Sequence, residues 1–248
     1  MPDVIAATLE GKDAATVARE LDLPEVHLFE DVASTMDVAA TLGDAGAPAG
    51  ALVVAASQHA GRGRGRRRWE SGAGRGLWLT LLERPNDAKA LPVLPLRLGL
   101  RMARALDRWA EERIQLKWPN DLYVGGAKLG GILIEARWRD QRLDWVAIGV
   151  GINLAAPVGV PGTHLTNSPR RADVLAELIP AMRAAAAARG PLGAGELAAY
   201  SARDFARGKR CRTPASGVVV GIAEGGELLV ETANGLSRYL TGSLELEG

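Results

Sequence analysis

The segment Gly61-Arg62-Gly63-Arg64-Gly65-Arg66-Arg67-Arg68-Trp69 combines two residue types that together handle anions. Glycines let a backbone turn sharply and come close to a ligand. Arginine forks match phosphate or carboxylate oxygens two at a time, and Trp69 could stack on a planar base. A second segment, Lys117-Trp118-Pro119-Asn120-Asp121-Leu122, ends a strand at Pro119 and leaves two polar side chains at its mouth. Asp121 could there hold a magnesium ion that bridges phosphates, and Asn120 could bond a phosphate or a base. The same pair also suits an Asx turn. Lys128, followed by Leu129-Gly130-Gly131-Ile132-Leu133-Ile134-Glu135, could reach a carboxylate or phosphate unobstructed, or could be an edge lysine whose stem lies along the sheet. Gly149-Val150-Gly151-Ile152-Asn153-Leu154 ends a buried strand in an asparagine able to read a base edge. Ser34, Thr35 and Gln58 supply uncharged hydrogen-bonding groups, although Ser34 or Thr35 could simply cap a helix.

These residues need elements to hold them. Ala51–Ala56 and Leu77–Leu82 read as buried strands on either side of the Gly/Arg segment, which places that segment in a folded site and not in a tether for nucleic acid. Helices are expected over Asp13–Leu21, Ser34–Leu42, Leu94–Arg113, Asp173–Ala188 (divided or kinked at Pro180) and Glu196–Phe205. Strands are expected at Ile114–Trp118, Lys128–Arg137 and Asp144–Ile152, the last two joined by the turn Arg139-Asp140-Gln141-Arg142. Residues 155–169 read as loop. After Gly208 come four short runs, 218–222, 227–231, 237–240 and 243–246, separated by turn signals, the pattern of a small β-barrel. The expected fold class is α+β, a mixed sheet flanked by helices, with a body over 1–206 and a barrel over 207–248.

Composition narrows the chemistry. Thirty basic residues against 29 acidic leave a net charge of +1 in 248 residues, so the positive charge is local and suits a small anion better than a nucleic acid. One cysteine, Cys211, rules out a disulfide framework and a cysteine zinc site, and His27, His59 and His164 show no metal-ligand spacing. With no signal-peptide pattern and no apolar run of membrane-spanning length, a cytoplasmic protein without membrane contact is expected.

In order and spacing, the Gly-Arg-Gly-Arg loop ending at Trp69, Lys117–Leu122, Lys128–Glu135 and Gly149–Leu154 resemble the biotin protein ligases, from about residue 28 to 154. The C-terminal strands resemble that family's SH3-like cap. The resemblance implies an acyl-adenylate reaction: biotin and ATP give biotinyl-5′-AMP, and a lysine of a biotin carboxyl carrier domain of an acyl-CoA carboxylase accepts the biotin. It implies that Ser34, Thr35, Met36, Gln58, the backbone of Gly61 to Arg64, Lys128, Gly130 and Gly131 serve biotin. Arg62, Arg64, Trp69, Asn120, Lys128 and Asn153 would serve ATP, Asp121 would serve Mg²⁺, and Lys128, Arg62 and Arg64 would be catalytic. A homodimer is common in the family.

Two positions depart from the family pattern: Met36 stands where asparagine usually follows the Ser-Thr pair, and Arg66 where the loop usually has glycine, here found one position earlier at Gly65. Rival readings are a lipoate or octanoate ligase of the same fold and a nucleic-acid-binding module built on the arginine loop. Roughly 25 residues before the body are too few for a helix-turn-helix unit, so no DNA partner is expected.

Overall fold

The computed structural model describes residues 7–85 and 87–247. Helix α1 (Ala14–Glu20) is started by Asp13, whose side chain accepts the Thr16 N–H. Strand β1 (Val26–Val32), helix α2 (Thr35–Asp44), and strands β2 (Ala51–Gln58) and β3 (Gly76–Glu83) follow. Then come helix α3 (Leu94–Leu106), β4 (Gln115–Lys117), β5 (Asp121–Val124), β6 (Ala127–Arg139) and β7 (Arg142–Asn153). Helices α4 (Arg171–Ala186) and α5 (Ala194–Ser201) lead to β8 (Arg210–Thr213), β9 (Gly217–Ile222), β10 (Leu228–Thr232), β11 (Gly235–Tyr239) and β12 (Glu245–Leu246).

Seven strands form one sheet in the order β1-β2-β3-β7-β6-β5-β4, with β1 and β2 parallel and every other pair antiparallel. Every residue of β3 is buried, because both faces of the sheet are covered. On one face Met36 and Ala39 of α2 lie against Val53, Leu82 and Trp145. On the other, Leu96, Leu100, Ala103 and Leu106 of α3 join Leu175, Leu178 and Met182 of α4 in the larger core. The β6–β7 hairpin turns where the pattern placed it, with Asp140 at φ 46° and Gln141 at φ 63°, both in the left-handed region that a tight hairpin turn uses.

Several expectations need correction. Helix α3 stops at Leu106, not Arg113, because the Asp107 carboxylate takes the Ile114 N–H and two bonds from Arg203, which draws the chain into a short 3₁₀ turn over Asp107–Trp109. Helix α4 is not divided at Pro180: that residue and Ala176, whose carbonyl loses its donor, are both exposed, where water can replace the missing bond. Helix α5 ends at Ser201, short of Phe205. Asp121 does not sit in a loop; it opens β5, a strand too short to show a period. Strands β1 and β8 are additional to those expected, and β1 lacks a clear apolar pattern because as an edge strand it buries only Val26.

The C-terminal strands form a second, five-stranded antiparallel sheet in the order β11-β10-β9-β8-β12. Its approach to the body is fixed by backbone pairing: Leu116 N–H donates to Arg203 O, and Phe205 N–H donates to Leu116 O, at 2.8 and 2.9 Å. Residues 203–205 thus cover the β4 edge, which would otherwise present open backbone groups. Phe205 stacks on Tyr123 at 4.6 Å, and the Trp118 indole donates to Gly226 O at 3.0 Å.

Arg203 ties this junction together. Its guanidinium is buried and bonds both Asp107 oxygens and the Ile114 carbonyl. Arg203→Leu should lower unfolding stability by about 3 kcal/mol, read from urea denaturation, because a half-buried carboxylate and a carbonyl lose their donors. Burial alone would raise the Asp107 pKa, but the Arg203 bonds and the Ile114 N–H outweigh it and leave the pKa lowered. A lowered folded-state pKa stabilises above the unfolded value and loses that contribution as pH falls through the folded one. The deficit of the variant should therefore shrink below about pH 4; a deficit constant from pH 7 to pH 3 would contradict this.

Candidate ligand site

A cavity of 690 Å³ runs across one face of the large sheet, from Gln58 at the end of β2 to Lys117 on β4. Its first end is uncharged. Ser34 starts α2, its Oγ accepting the Met36 N–H at 3.3 Å. The Met36 backbone donor is therefore spent on the cap, and its side chain is buried against Gly149. Thr35 gives both its N–H and its hydroxyl to Gln58 Oε1, at 2.8 and 3.2 Å. Two residues that sequence reasoning missed complete the chain of bonds. Thr80 donates to Thr35 Oγ1 at 2.8 Å, and Ser71 accepts from Gln58 Nε2 at 2.8 Å. Thr80 had a signal, a hydroxyl in an otherwise apolar run; Ser71 had none.

The middle of the cavity is floored by backbone. Gly131 on β6 and Gly151 on β7 pair directly, with Gly149 two residues earlier on the same face. Trp69 fills the space above them: a Cβ on Gly151 would lie 2.5 Å from Trp69 Nε1. The ring meets Trp78 edge-on at 6.5 Å and carries the Lys128 ammonium 5.0 Å from its centre. The neighbouring Gly130 does not line the cavity. It points to the opposite face, where Ile152 and the Gly151 carbonyl occupy the place of a Cβ. Gly61 does not line it either; it forms the neck of the loop, its carbonyl accepting Trp69 N–H at 2.9 Å.

The far end is cationic. Arg64, Arg67, Lys117 and Lys128 line the cavity there, against Asp121 and Glu245, while Arg62 and Arg68 also line the cavity but bond Asp37 of α2 and the His59 carbonyl nearer the first end. Lys128 Nζ lies 2.7 Å from Asp121 Oδ1. Arg62 is held by Asp37 at 3.0 Å and Glu135 at 2.9 Å, so its charge is already paired. Burial lowers the pKa of Arg64, opposed by Asp121, and burial likewise lowers that of Lys117 against the same carboxylate. Two cations that pay for desolvation without full compensation mark a place where an anion would be stabilised. Asn120 lies at the wall, its Nδ2 donating to Ile132 O at 2.7 Å and its Oδ1 3.5 Å from Arg64. Asn153 is buried, with Nδ2 donating to Thr163 O at 2.9 Å. Lys117, Arg67, Tyr123 and the Gly242–Glu245 segment of the C-terminal sheet also reach this end, and none was expected there.

The loop turn has φ 63° at Gly65, so the glycine stands where the left-handed backbone needs it, and the displaced glycine causes no strain. Among the described residues, no three His, Cys, Asp or Glu side chains converge on a metal position. Asp121 has no cluster of further ligands around it among the described residues. It suits a magnesium ion that arrives with phosphate oxygens and water, and does not suit an all-protein cage.

Residues 28–153 match the Biotin/lipoate A/B protein ligase family. The chain belongs to this family. The bifunctional ligase/repressor BirA of Bacillus subtilis is 39% identical over 129 residues, which is 51% of this chain and 40% of that protein. The biotin--[acetyl-CoA-carboxylase] ligase of Paracoccus denitrificans is 37% identical over 107 residues, 42% of this chain and 45% of that one. The chain thus spans less than half the length of these curated relatives. The structure of the Aquifex aeolicus biotin protein ligase in complex with biotin and ATP superposes with a TM-score of 0.72 at 26% identity, over 90% of this chain and 98% of that one. No described helix of this family member is long and apolar enough to cross a membrane.

Proposed function

We propose that the chain is an ATP-dependent biotin protein ligase, which forms biotinyl-5′-AMP and passes biotin to a lysine of a biotin carboxyl carrier protein of an acyl-CoA carboxylase. The observation that carries this reading is the single cavity with an uncharged hydrogen-bonding end, a cationic end, and Lys128 beside the tryptophan floor between them. The names of the relatives and of the superposed structure support it.

In this reading Ser34, Thr35 and Gln58 hold the ureido ring, and Met36, Leu79 and Leu133 bury the apolar bicycle and tail. A carboxylate oxygen of biotin attacks the α-phosphorus of ATP; the bond from that phosphorus to the leaving oxygen breaks, and pyrophosphate departs. Both reactants are anionic, so their approach requires cations that are in place beforehand. Lys128 supplies one, already oriented by Asp121, and Arg64 supplies another. Magnesium bound with the nucleotide would be held by Asp121 and would spread the phosphate charge. Arg62 acts through Asp37 and Glu135, fixing the Gly61–Trp69 loop to α2 and β6. In the second half the amine of the carrier lysine attacks the acyl carbon, AMP leaves, and the nitrogen loses a proton to solvent. Residues 1–206 form the catalytic unit, and 207–248 a cap that closes the nucleotide end through Gly242–Glu245.

Pyrophosphate release from Mg-ATP, measured without carrier and with biotin, lipoate and octanoate tried separately, decides between reactions. A burst near one equivalent with biotin alone is expected; a burst only with lipoate or octanoate would move the chain to the other branch of the family. Arg64→Gly should loosen the loop at its turn, so that adenylate escapes and labels lysines of bystander albumin at least tenfold more than the wild type does. Labelling equal to wild type would remove Arg64 from retention.

A further inference from the structure

Two buried hydroxyls outside the cavity wall control how its uncharged end is presented. Thr80 lies in β3 among leucines and is fully buried, and Ser71 is 3% exposed. A hydroxyl in such a place costs free energy unless it is bonded, and both are bonded in one directed chain. Thr80 O–H donates to Thr35 Oγ1, and Thr35 O–H donates to Gln58 Oε1. The Thr35 backbone N–H, which can only donate, also points at that oxygen, so the amide has one orientation. Its Nε2 then faces Ser71 Oγ, whose own hydrogen goes to Trp69 O at 3.3 Å. The relay leaves Gln58 one N–H with no protein acceptor among the described residues, and leaves Thr35 Oγ1 one lone pair. Since Gln58 and Thr35 line the cavity, these are the groups offered to a ligand.

We infer that Ser71 and Thr80 are positioning residues for the head group of the ligand: they set the Gln58 amide with a donor toward the cavity and hold it to the loop segment that carries Trp69. This rests on the ligase reading, in which the head is the cyclic urea, with an acceptor oxygen and two N–H donors. The free Gln58 N–H suits the oxygen, and the free Thr35 lone pair suits an N–H.

The test is carrier-free pyrophosphate release, titrating biotin and Mg-ATP separately, for Ser71→Ala, Thr80→Val and Thr80→Ser, each with a thermal melt. Removing one bond of the relay should raise KM for biotin about tenfold in Ser71→Ala and severalfold in Thr80→Val. KM for ATP and kcat should stay within about twofold, since the cationic end is untouched. Thr80→Ser, which keeps the hydroxyl, should restore KM for biotin. Ser71→Ala carries the test alone if Thr80→Val fails to fold. An active wild type with KM for biotin unchanged in Ser71→Ala, or with both KM values rising together, overturns the positioning role and leaves the ligase reading standing. A wild type inactive with biotin but active with another acid overturns the ligase reading and this inference with it.

Discussion

Lys128→Ala should lower biotin-dependent pyrophosphate release by about three orders of magnitude while the melting temperature stays within a few degrees of wild type. The size follows from position. Lys128 is the cation at the middle of the cavity, 2.7 Å from Asp121 and above the Trp69 ring, a partly buried position where a charge is worth more than at the open surface. Loss of one preorganised donor to a developing negative charge costs about 10² to 10³ in rate. The substitution also takes from Asp121 its direct ion-pair partner, leaving the carboxylate only the more distant Arg64 and Lys117 to offset its charge. The fold should tolerate the change because Lys128 is partly exposed and belongs to neither apolar core. Lys128→Arg should recover only part of the activity, since a planar fork does not replace a compact ammonium. Activity of Lys128→Ala within tenfold of wild type would remove Lys128 from the chemistry.

Gly151→Ala should be the most damaging single-methyl change in the cavity, with a fall in kcat/KM of about 100-fold. A Cβ there would lie 2.5 Å from Trp69 Nε1 and 2.6 Å from Cε2, in the body of a rigid ring. The indole must leave the glycine floor and carry the end of the Gly/Arg loop with it, and a displacement of about 1 Å in a positioning group costs on the order of 10² in rate. Gly149→Ala is the control, two residues away on the same face. Its Cβ meets the Met36 Sδ and Cγ, part of a buried but unbranched side chain that can turn aside where the indole cannot, so the effect should stay below about fivefold. Steady-state kinetics together with near-ultraviolet circular dichroism would follow both function and the ring. Equal effects at the two glycines would contradict this account of Trp69.

Residue type and spacing alone made much of this protein legible. The Gly/Arg loop, the Lys117–Leu122 and Lys128–Glu135 segments and the Ser34-Thr35 pair announce an anion site and a neutral site, and the structure brings Ser34, Gln58, Arg64, Asn120, Asp121, Lys128 and Asn153 to one cavity. Strands β2, β3 and β7 are equally readable, as apolar runs buried on both faces. What stayed hidden depends on partners distant in the chain. Gly130 and Gly131 look alike as a pair, yet alternation along β6 sends one under Ile152 and the other under Trp69. Arg62 and Arg64 look alike two residues apart and both line the cavity, yet Asp37 and Glu135 pair with the first and not with the second.

The end of α3 shows the same division of labour. Apolar spacing carries the helix pattern past Leu106, and only Arg203, 96 residues beyond Asp107, draws that carboxylate into a different turn. Ser71 and Thr80 are ordinary hydroxyl residues until folding sets them behind Gln58 and Thr35. Local chemistry and period are properties of neighbours in sequence, so the chain by itself determined which groups are present and which strands carry them. Pairing of charges, the face a glycine presents and the direction of a hydrogen bond are properties of neighbours in space, and those only the tertiary structure decided.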